Sequence, residues 1–369
     1  MADLFDYMRW RGDLPFDRDG LNDIDNLILC RVSYLPFDGI VSGELRSKST
    51  LGEAAKAFLA LPDAEKRVCM DADMKFCAAL AECPRFAALP VLGYENIVDP
   101  VRELQFSAMI FALEPELHFV AFRGTDNTLV GWKEDFNMSF TTPVPAQLEA
   151  ARYLERAAWG LKGRLICAGH SKGGNLAVYA AAFAAPSVRK RVERIYTNDS
   201  PGFERSVLLT DGYLDISERI RSFVPQSSVV GMLLEHEEDY TVVKSNQLSL
   251  WQHDLYSWEV LGREFVSLSR VTNSAKFIDG TLKDWLSAMN REQREKFIDG
   301  IFSLLDQTGA PTFNELNENL AGSLLAIAKS AAGMDEETRS NILFGLGRLI
   351  RSAKENFGGM LPKFPVKKE

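Results

Sequence analysis

Arg164-Leu165-Ile166-Cys167-Ala168 leads straight into Gly169-His170-Ser171-Lys172-Gly173-Gly174, and Asn175–Phe183 follows with mostly small apolar residues. The first run reads as a buried strand and the last as a helix. Between them the chain has the form GxSxG, which in a strand–turn–helix setting is a nucleophile elbow. The chemistry needs those residue types at that spacing. So tight a turn leaves no room for side chains at 169 and 173, and it thrusts the Ser171 hydroxyl out at the carboxyl end of the strand. The helix that begins there aims free backbone N–H groups at the same point, where a developing oxyanion can rest. GxSxG alone is a weak signal. The strand before it, Gly174 after it and the small-residue helix beyond set it apart from a glycine-rich connector.

Upstream, Phe119-Val120-Ala121-Phe122-Arg123-Gly124-Thr125 reads as an apolar strand ending in a glycine and a hydroxyl residue. A serine hydrolase draws a second oxyanion donor from a neighbouring strand end, besides the N–H that follows the nucleophile. Thr125 offers its backbone N–H and its hydroxyl, and Lys172 the other N–H. Alone, Arg-Gly-Thr is a plain turn; its place one crossover helix before the serine suggests the second role.

Around these segments the pattern alternates. Phe106–Leu113 and Leu117–Phe122 read as strands joined at Glu114-Pro115. Then come an element at Trp132–Phe136, a proline-marked loop (Thr142–Pro145) and an amphipathic helix, Ala146–Lys162. Arg194–Thr197, Ile220–Val224 and Thr241–Lys244 read as further strands, with a helix between Glu204 and Arg219. Strands alternating with helices imply an α/β fold: a mostly parallel sheet covered by helices. Residues 1–95 read as short helices and turns, with helical spacing at Asn22–Ser33, Thr50–Leu59 and Met70–Leu80. Residues 96–265 form the expected core. Residues 266–369 form a helical C-terminal subdomain, with amphipathic stretches such as Gln293–Leu305 and Glu336–Ala353.

The chain has 369 residues and a formal net charge of −9. That acidic balance argues against nucleic-acid binding, and the basic end (Lys363, Lys367, Lys368) is too short to reverse it. No apolar run reaches the ~20 residues of a membrane helix. The N-terminus lacks the features of a secretory signal, so a cytoplasmic location is expected. Five cysteines (Cys30, Cys69, Cys77, Cys83, Cys167) contain no CxxC pair, and they read as buried or idle thiols rather than metal ligands. No metal or organic cofactor is expected, and nothing in the sequence gives the oligomeric state.

FRGT, then Gly131-Trp132-Lys133-Glu134-Asp135-Phe136, then GHSKGG is similar to the class 3 lipases, whose pattern runs FRGT/S, a tryptophan–acid segment and GHSLGG. Five further segments look closer to another group. They are Asp6-Tyr7-Met8-Arg9-Trp10-Arg11-Gly12-Asp13, Asn22-Asp23-Ile24-Asp25-Asn26-Leu27-Ile28-Leu29, Gln105-Phe106-Ser107-Ala108, Asn198-Asp199-Ser200-Pro201-Gly202-Phe203 and Trp251-Gln252-His253-Asp254. With these the chain resembles the bacterial Mbeg1-like (DUF2974) proteins over about residues 5–260. The resemblance implies an α/β-hydrolase fold and an acyl-ester hydrolase acting on a small-molecule or lipid ester, without naming the substrate.

A serine nucleophile needs a base, and the base an orienting acid. With only four histidines the choice of base is narrow. His118 lies on a strand before the serine, and His170 is the elbow's own second residue, expected to point inward. His236 stands in an acidic run, Glu235-His236-Glu237-Glu238-Asp239. His253 follows the last expected strand within an aromatic frame (Trp251, Tyr256, Trp258), where this fold places its base. The acid is more open. Class 3 lipases carry an aspartate soon after the strand matching Ile220–Val224, whereas here Pro225-Gln226-Ser227-Ser228 has no carboxylate. Asp199 is the best replacement, with Glu235, Glu237 and Asp239 as alternatives, or a dyad in which Ser227 or Ser228 holds the histidine. A chain that kept the elbow but lost its acid would be a binding or scaffold protein. Lys172 stands where the lipase pattern has an apolar residue; its side chain is expected to point to solvent, or else to favour acidic substrates. Trp132 and Asp135 are expected to buttress the oxyanion loop. Pro143–Gln147 and the helical tail are candidate lids.

Overall fold

The computed structural model describes residues 2–46, 49–312 and 320–360. The basic end at Lys363, Lys367 and Lys368 lies outside the described residues.

Seven strands follow the chain in spatial order. They are β1 (Val91–Asp99), β2 (Leu104–Glu114), β3 (Leu117–Phe122), β4 (Arg164–His170), β5 (Val192–Asn198), β6 (Ile220–Pro225) and β7 (Tyr240–Val243), and the two-residue strand Ser267–Leu268 closes the far edge. β3 to β7 run parallel, while β1, β2 and the closing strand add antiparallel edges. The expected strands at 106–113, 117–122, 164–168, 194–197 and 220–224 all fall within these, and the one at 241–244 overruns β7 by one residue. Two were not anticipated: β1 begins in the segment read as helices and turns, where Gly93, Glu95 and Asn96 break its apolar alternation, and the closing strand Ser267–Leu268 falls in the segment read as helical.

Alternating side chains along each strand feed two cores. Ile166 and Ala168 of β4 face one side, with Phe119 and Ala121 of β3. They meet Leu27, Ile28, Phe58 and Phe76 of the N-terminal helices Asp23–Val32, Leu51–Leu59 and Ala72–Glu82. Leu165 and Cys167, with Val120 and Phe122, face the other side and meet Tyr153, Leu154, Leu176 and Tyr213. Those come from helices Pro145–Gly160, Lys172–Phe183 and Asp211–Ile216. The N-terminal segment therefore supplies most of one covering layer, which Leu255, Trp258, Val260 and Phe265 complete. The helix Asp23–Val32 is held by a capping box, in which Asn22 accepts from Ile24 and Asp25 N–H and Asp25 reaches back. Such a cap contributes about 1 kcal/mol.

The expected helical tail contains Asn273–Ser287, Arg291–Asp306, Leu320–Gly333 and Glu336–Met360. Trp285, Met289, Phe297, Ile298 and Phe302 bury a small core of their own with Phe140. The tail docks beside the helix Leu129–Asn137 through Lys133–Asp299 at 2.9 Å and Arg294 Nη1 to Ser139 O at 2.6 Å. Among the described residues, no helix is long and apolar enough to cross a membrane.

Candidate active site

β4 ends at His170, and the helix Lys172–Phe183 starts one residue after Ser171. Ser171 has φ 57° and ψ −135°, a conformation that side chains disfavour and glycine tolerates. The glycines on either side are steric requirements. A Cβ at Gly169 would lie 2.1 Å from the Gly173 carbonyl carbon, and one at Gly173 would lie 2.1 Å from Phe122 O. Ser171 N donates to Asn198 O at 3.0 Å, tying the elbow to the end of β5. Ser171 is 9% exposed, and its hydroxyl forms no hydrogen bond among the described residues.

Asp199 follows β5 directly, also with a positive φ of 48°. Its Oδ2 receives the Nδ1–H of His253 at 2.6 Å. Its Oδ1 accepts from the Ser228 hydroxyl and, at 3.0 Å, from Gly231 N–H. The segment after β6, which lacks a carboxylate, thus supplies a hydroxyl and an amide that cradle a carboxylate from the neighbouring strand. The serine dyad is overturned by the same contacts. Ser228 holds Asp199 rather than His253, and Ser227 bonds Thr272 Oγ1 at 2.8 Å. Of the other candidate acids, Glu235, Glu237 and Asp239 are exposed on the surface. His236 pairs with Glu238 at 3.0 Å. The structure brings together Ser171, Asp199 and the loop of His253.

His170 points inward, as expected, and does more than fill space. A carbonyl only accepts, so the contact of His170 Nε2 with His253 O at 2.9 Å places the proton on Nε2. Nδ1 then accepts from Tyr34 OH at 2.9 Å. The two imidazole centroids are 4.3 Å apart. Burial, then the His253 and Arg31 charges, hold the His170 pKa well below the ordinary histidine value, so the ring stays neutral. Arg31 is stacked over the Tyr34 ring at 4.7 Å and is paired with Asp73. Nothing local in the sequence marks Tyr34 as part of this site, and Ser228 was expected to hold His253 rather than Asp199.

The turn after β3 lies against the elbow: a Cβ on Gly124 would sit 2.6 Å from His170 O and 3.0 Å from Ser171 Cβ. The next residue, Thr125, donates its hydroxyl to Asp135. That hydroxyl is engaged, which leaves the backbone N–H as the group Thr125 can offer. Burial pushes the Asp135 carboxyl up to about 6, against the pull of Lys172 and Thr125. Asp135 braces the turn through Thr125, as expected, and Trp132 is half-exposed on the same helix.

The solvent-pointing Lys172 is also overturned. Its side chain is 1% exposed. Nζ donates to Glu134 Oε2 at 2.9 Å, Gln105 Oε1 at 2.8 Å and Gln105 O at 3.0 Å. Burial opposes the charge, but Glu134 and Asp135 outweigh it and keep the pKa above its ordinary value. Nor is Pro143–Gln147 a lid, because Val144 and Gln147 are buried and Gln147 Nε2 donates to Asn175 Oδ1 at 2.8 Å.

The Mbeg1-like family model matches residues 80–303, more than half of the chain. The chain belongs to the Mbeg1-like family. Its mostly parallel sheet, clad on both faces and carrying the elbow at the strand ends, is an α/β-hydrolase fold. Solved structures similar to this Mbeg1-like protein include the Rhizomucor miehei lipase propeptide complex. That match has 16% identity, covers 45% of this chain and 58% of that one, and has a TM-score of 0.33. A triacylglycerol lipase whose catalytic centre is described as a serine protease triad has 14% identity, covering 60% and 78%, with a TM-score of 0.37. The lipase from Rhizopus microsporus var. chinensis has 16% identity, covering 55% and 72%, with a TM-score of 0.33. This Mbeg1-like chain thus spans under two thirds of the length of the first of these. The comparison with curated proteins gives no match.

Proposed function

We propose that this Mbeg1-like protein is a cytoplasmic serine hydrolase that cleaves a carboxylic ester of a small molecule or lipid through an acyl-enzyme on Ser171. The single observation that supports it most is the His253 Nδ1 to Asp199 Oδ2 contact of 2.6 Å, made beside a serine strained at an elbow. Ser171 Oγ attacks the ester carbonyl carbon while His253 Nε2 takes its proton. Asp199 stabilises the imidazolium, and the backbone N–H groups of Thr125 and Lys172 hold the oxyanion. Collapse expels the alcohol, which takes the proton from His253. Water, deprotonated by the same ring, then attacks the acyl-enzyme, releases the acid and restores Ser171. Thioester or amide cleavage would use the same residues. The scaffold reading rested on a missing acid, and Asp199 paired with His253 removes that support.

The test is steady-state hydrolysis of p-nitrophenyl esters of graded chain length by the wild type and Ser171→Ala. Turnover by the wild type that is absent in the variant supports the reading; equal rates for the two contradict it.

A further inference from the structure

Lys172 carries more than a backbone N–H to the elbow. Its ammonium lies buried under the turn that bears Thr125, 2.9 Å from Glu134 and 3.6 Å from Asp135 Oδ1. Glu134 is fully buried and cannot turn away, because its carboxylate also accepts from Gln105 N–H at 3.1 Å and Ala146 N–H at 2.7 Å. Asp135 is differently placed. One oxygen takes the Thr125 hydroxyl, while Oδ1 is buried with no hydrogen-bond partner. Lys172 is the cation facing that unpartnered oxygen.

We propose that the Lys172 side chain is a positioning residue for the oxyanion site: its charge holds Asp135 in place, and Asp135 fixes Thr125. This rests on the hydrolase reading above. The physical reason is charge balance. Two carboxylates next to a site that must gather negative charge would oppose the oxyanion, and one ammonium between them removes most of that field. An apolar residue at 172 would leave Asp135 Oδ1 with neither a hydrogen bond nor a counter-charge, and the carboxylate would be driven to protonate or turn. Either change redirects the Thr125 hydroxyl and loosens the turn whose N–H faces the substrate. Three separate elements meet at this one ammonium: β2 through Gln105, the helix Leu129–Asn137 through Glu134 and Asp135, and the elbow itself.

A purely structural role predicts something different, and the two separate in the full-length chain. The variants are Lys172→Met, Asp135→Asn, both together, and Lys172→Met with Glu134→Gln, which removes the buried pair as a unit and protects the fold. Ester hydrolysis and thermal unfolding are measured on each. The expected result is a kcat lowered by roughly 10- to 100-fold in Lys172→Met, with KM within about threefold of the wild type. The Glu134→Gln partner should recover folding but not kcat. Adding Asp135→Asn to Lys172→Met should cost nothing further, because both act through one contact. Full recovery of kcat in the Glu134→Gln pair, or losses that multiply between residues 172 and 135, overturns the proposal while leaving the hydrolase reading intact. A wild type that neither hydrolyses esters nor takes a fluorophosphonate overturns both.

Discussion

Asp199, at the end of β5, shares one carboxylate between His253, through Oδ2 at 2.6 Å, and the Ser228–Gly231 segment, through Oδ1. The acid comes from one strand and the support for it from the next. Asp199→Asn preserves the shape but presents an amide to His253, which favours the wrong tautomer. The expected outcome is a fall in kcat of roughly ten-thousand-fold with little change in KM, measured by ester hydrolysis. A loss below about tenfold would mean that another group orients the base.

Ser171 is held at φ 57°, where a Cβ is strained. Ser171→Gly removes about 1–3 kcal/mol of strain and adds about 0.5–1 kcal/mol of unfolded-chain entropy. The variant should be inactive yet more stable by about 1 kcal/mol, read as a higher denaturant midpoint. A stability equal to that of Ser171→Ala would show that the elbow is unstrained.

Glu134 and Lys172 are 0% and 1% exposed. Breaking such a pair from one side leaves a buried charge without its partner, at a cost of about 3–5 kcal/mol. Glu134→Gln alone should therefore lower the unfolding midpoint sharply, whereas Glu134→Gln with Lys172→Met should recover most of it. Calorimetry or urea unfolding reads both.

His170 is kept neutral, with a folded pKa below its ordinary value of 6.5. The unfolded chain then binds more protons than the folded one under acid conditions. The stability this ring contributes is complete above pH 6.5 and falls as pH drops, by up to about 1.4 kcal/mol per pH unit. Asp135, raised to about 6, acts with the opposite sign: its contribution is present in acid and is lost as pH rises through 6. His118 is lowered by burial and so shares the sign of His170. The difference between the wild type and His170→Gln isolates the ring. It should shrink as pH falls from 6.5 to 5, and a pH-independent difference would refute the buried neutral imidazole.

How far the sequence carried the reading depended on whether a feature is local. The elbow was legible because its glycines, its serine and its flanking apolar runs are consecutive residues. His253 was legible because histidine is scarce here. Asp199 could be put forward from its place after a strand, and Ser228 was put forward with the wrong partner, since its hydroxyl acts through a carboxylate 29 residues away. Lys172 was misread for the same reason. Its partners Glu134 and Gln105 lie 38 and 67 residues upstream, and only the fold turns its side chain inward. β1 was missed because Gly93, Glu95 and Asn96 dilute the strand pattern that its pairing with β2 supports.

The central claim is that Ser171 is a nucleophile activated by His253. Its most direct measurement is incubation of the folded full-length chain with a fluorophosphonate, followed by peptide mass spectrometry. The expected result is one phosphonyl adduct, on the peptide holding Ser171, absent from Ser171→Ala and strongly slowed in His253→Ala. Folded wild-type protein that stays unmodified, or that is modified equally fast without His253, would contradict it.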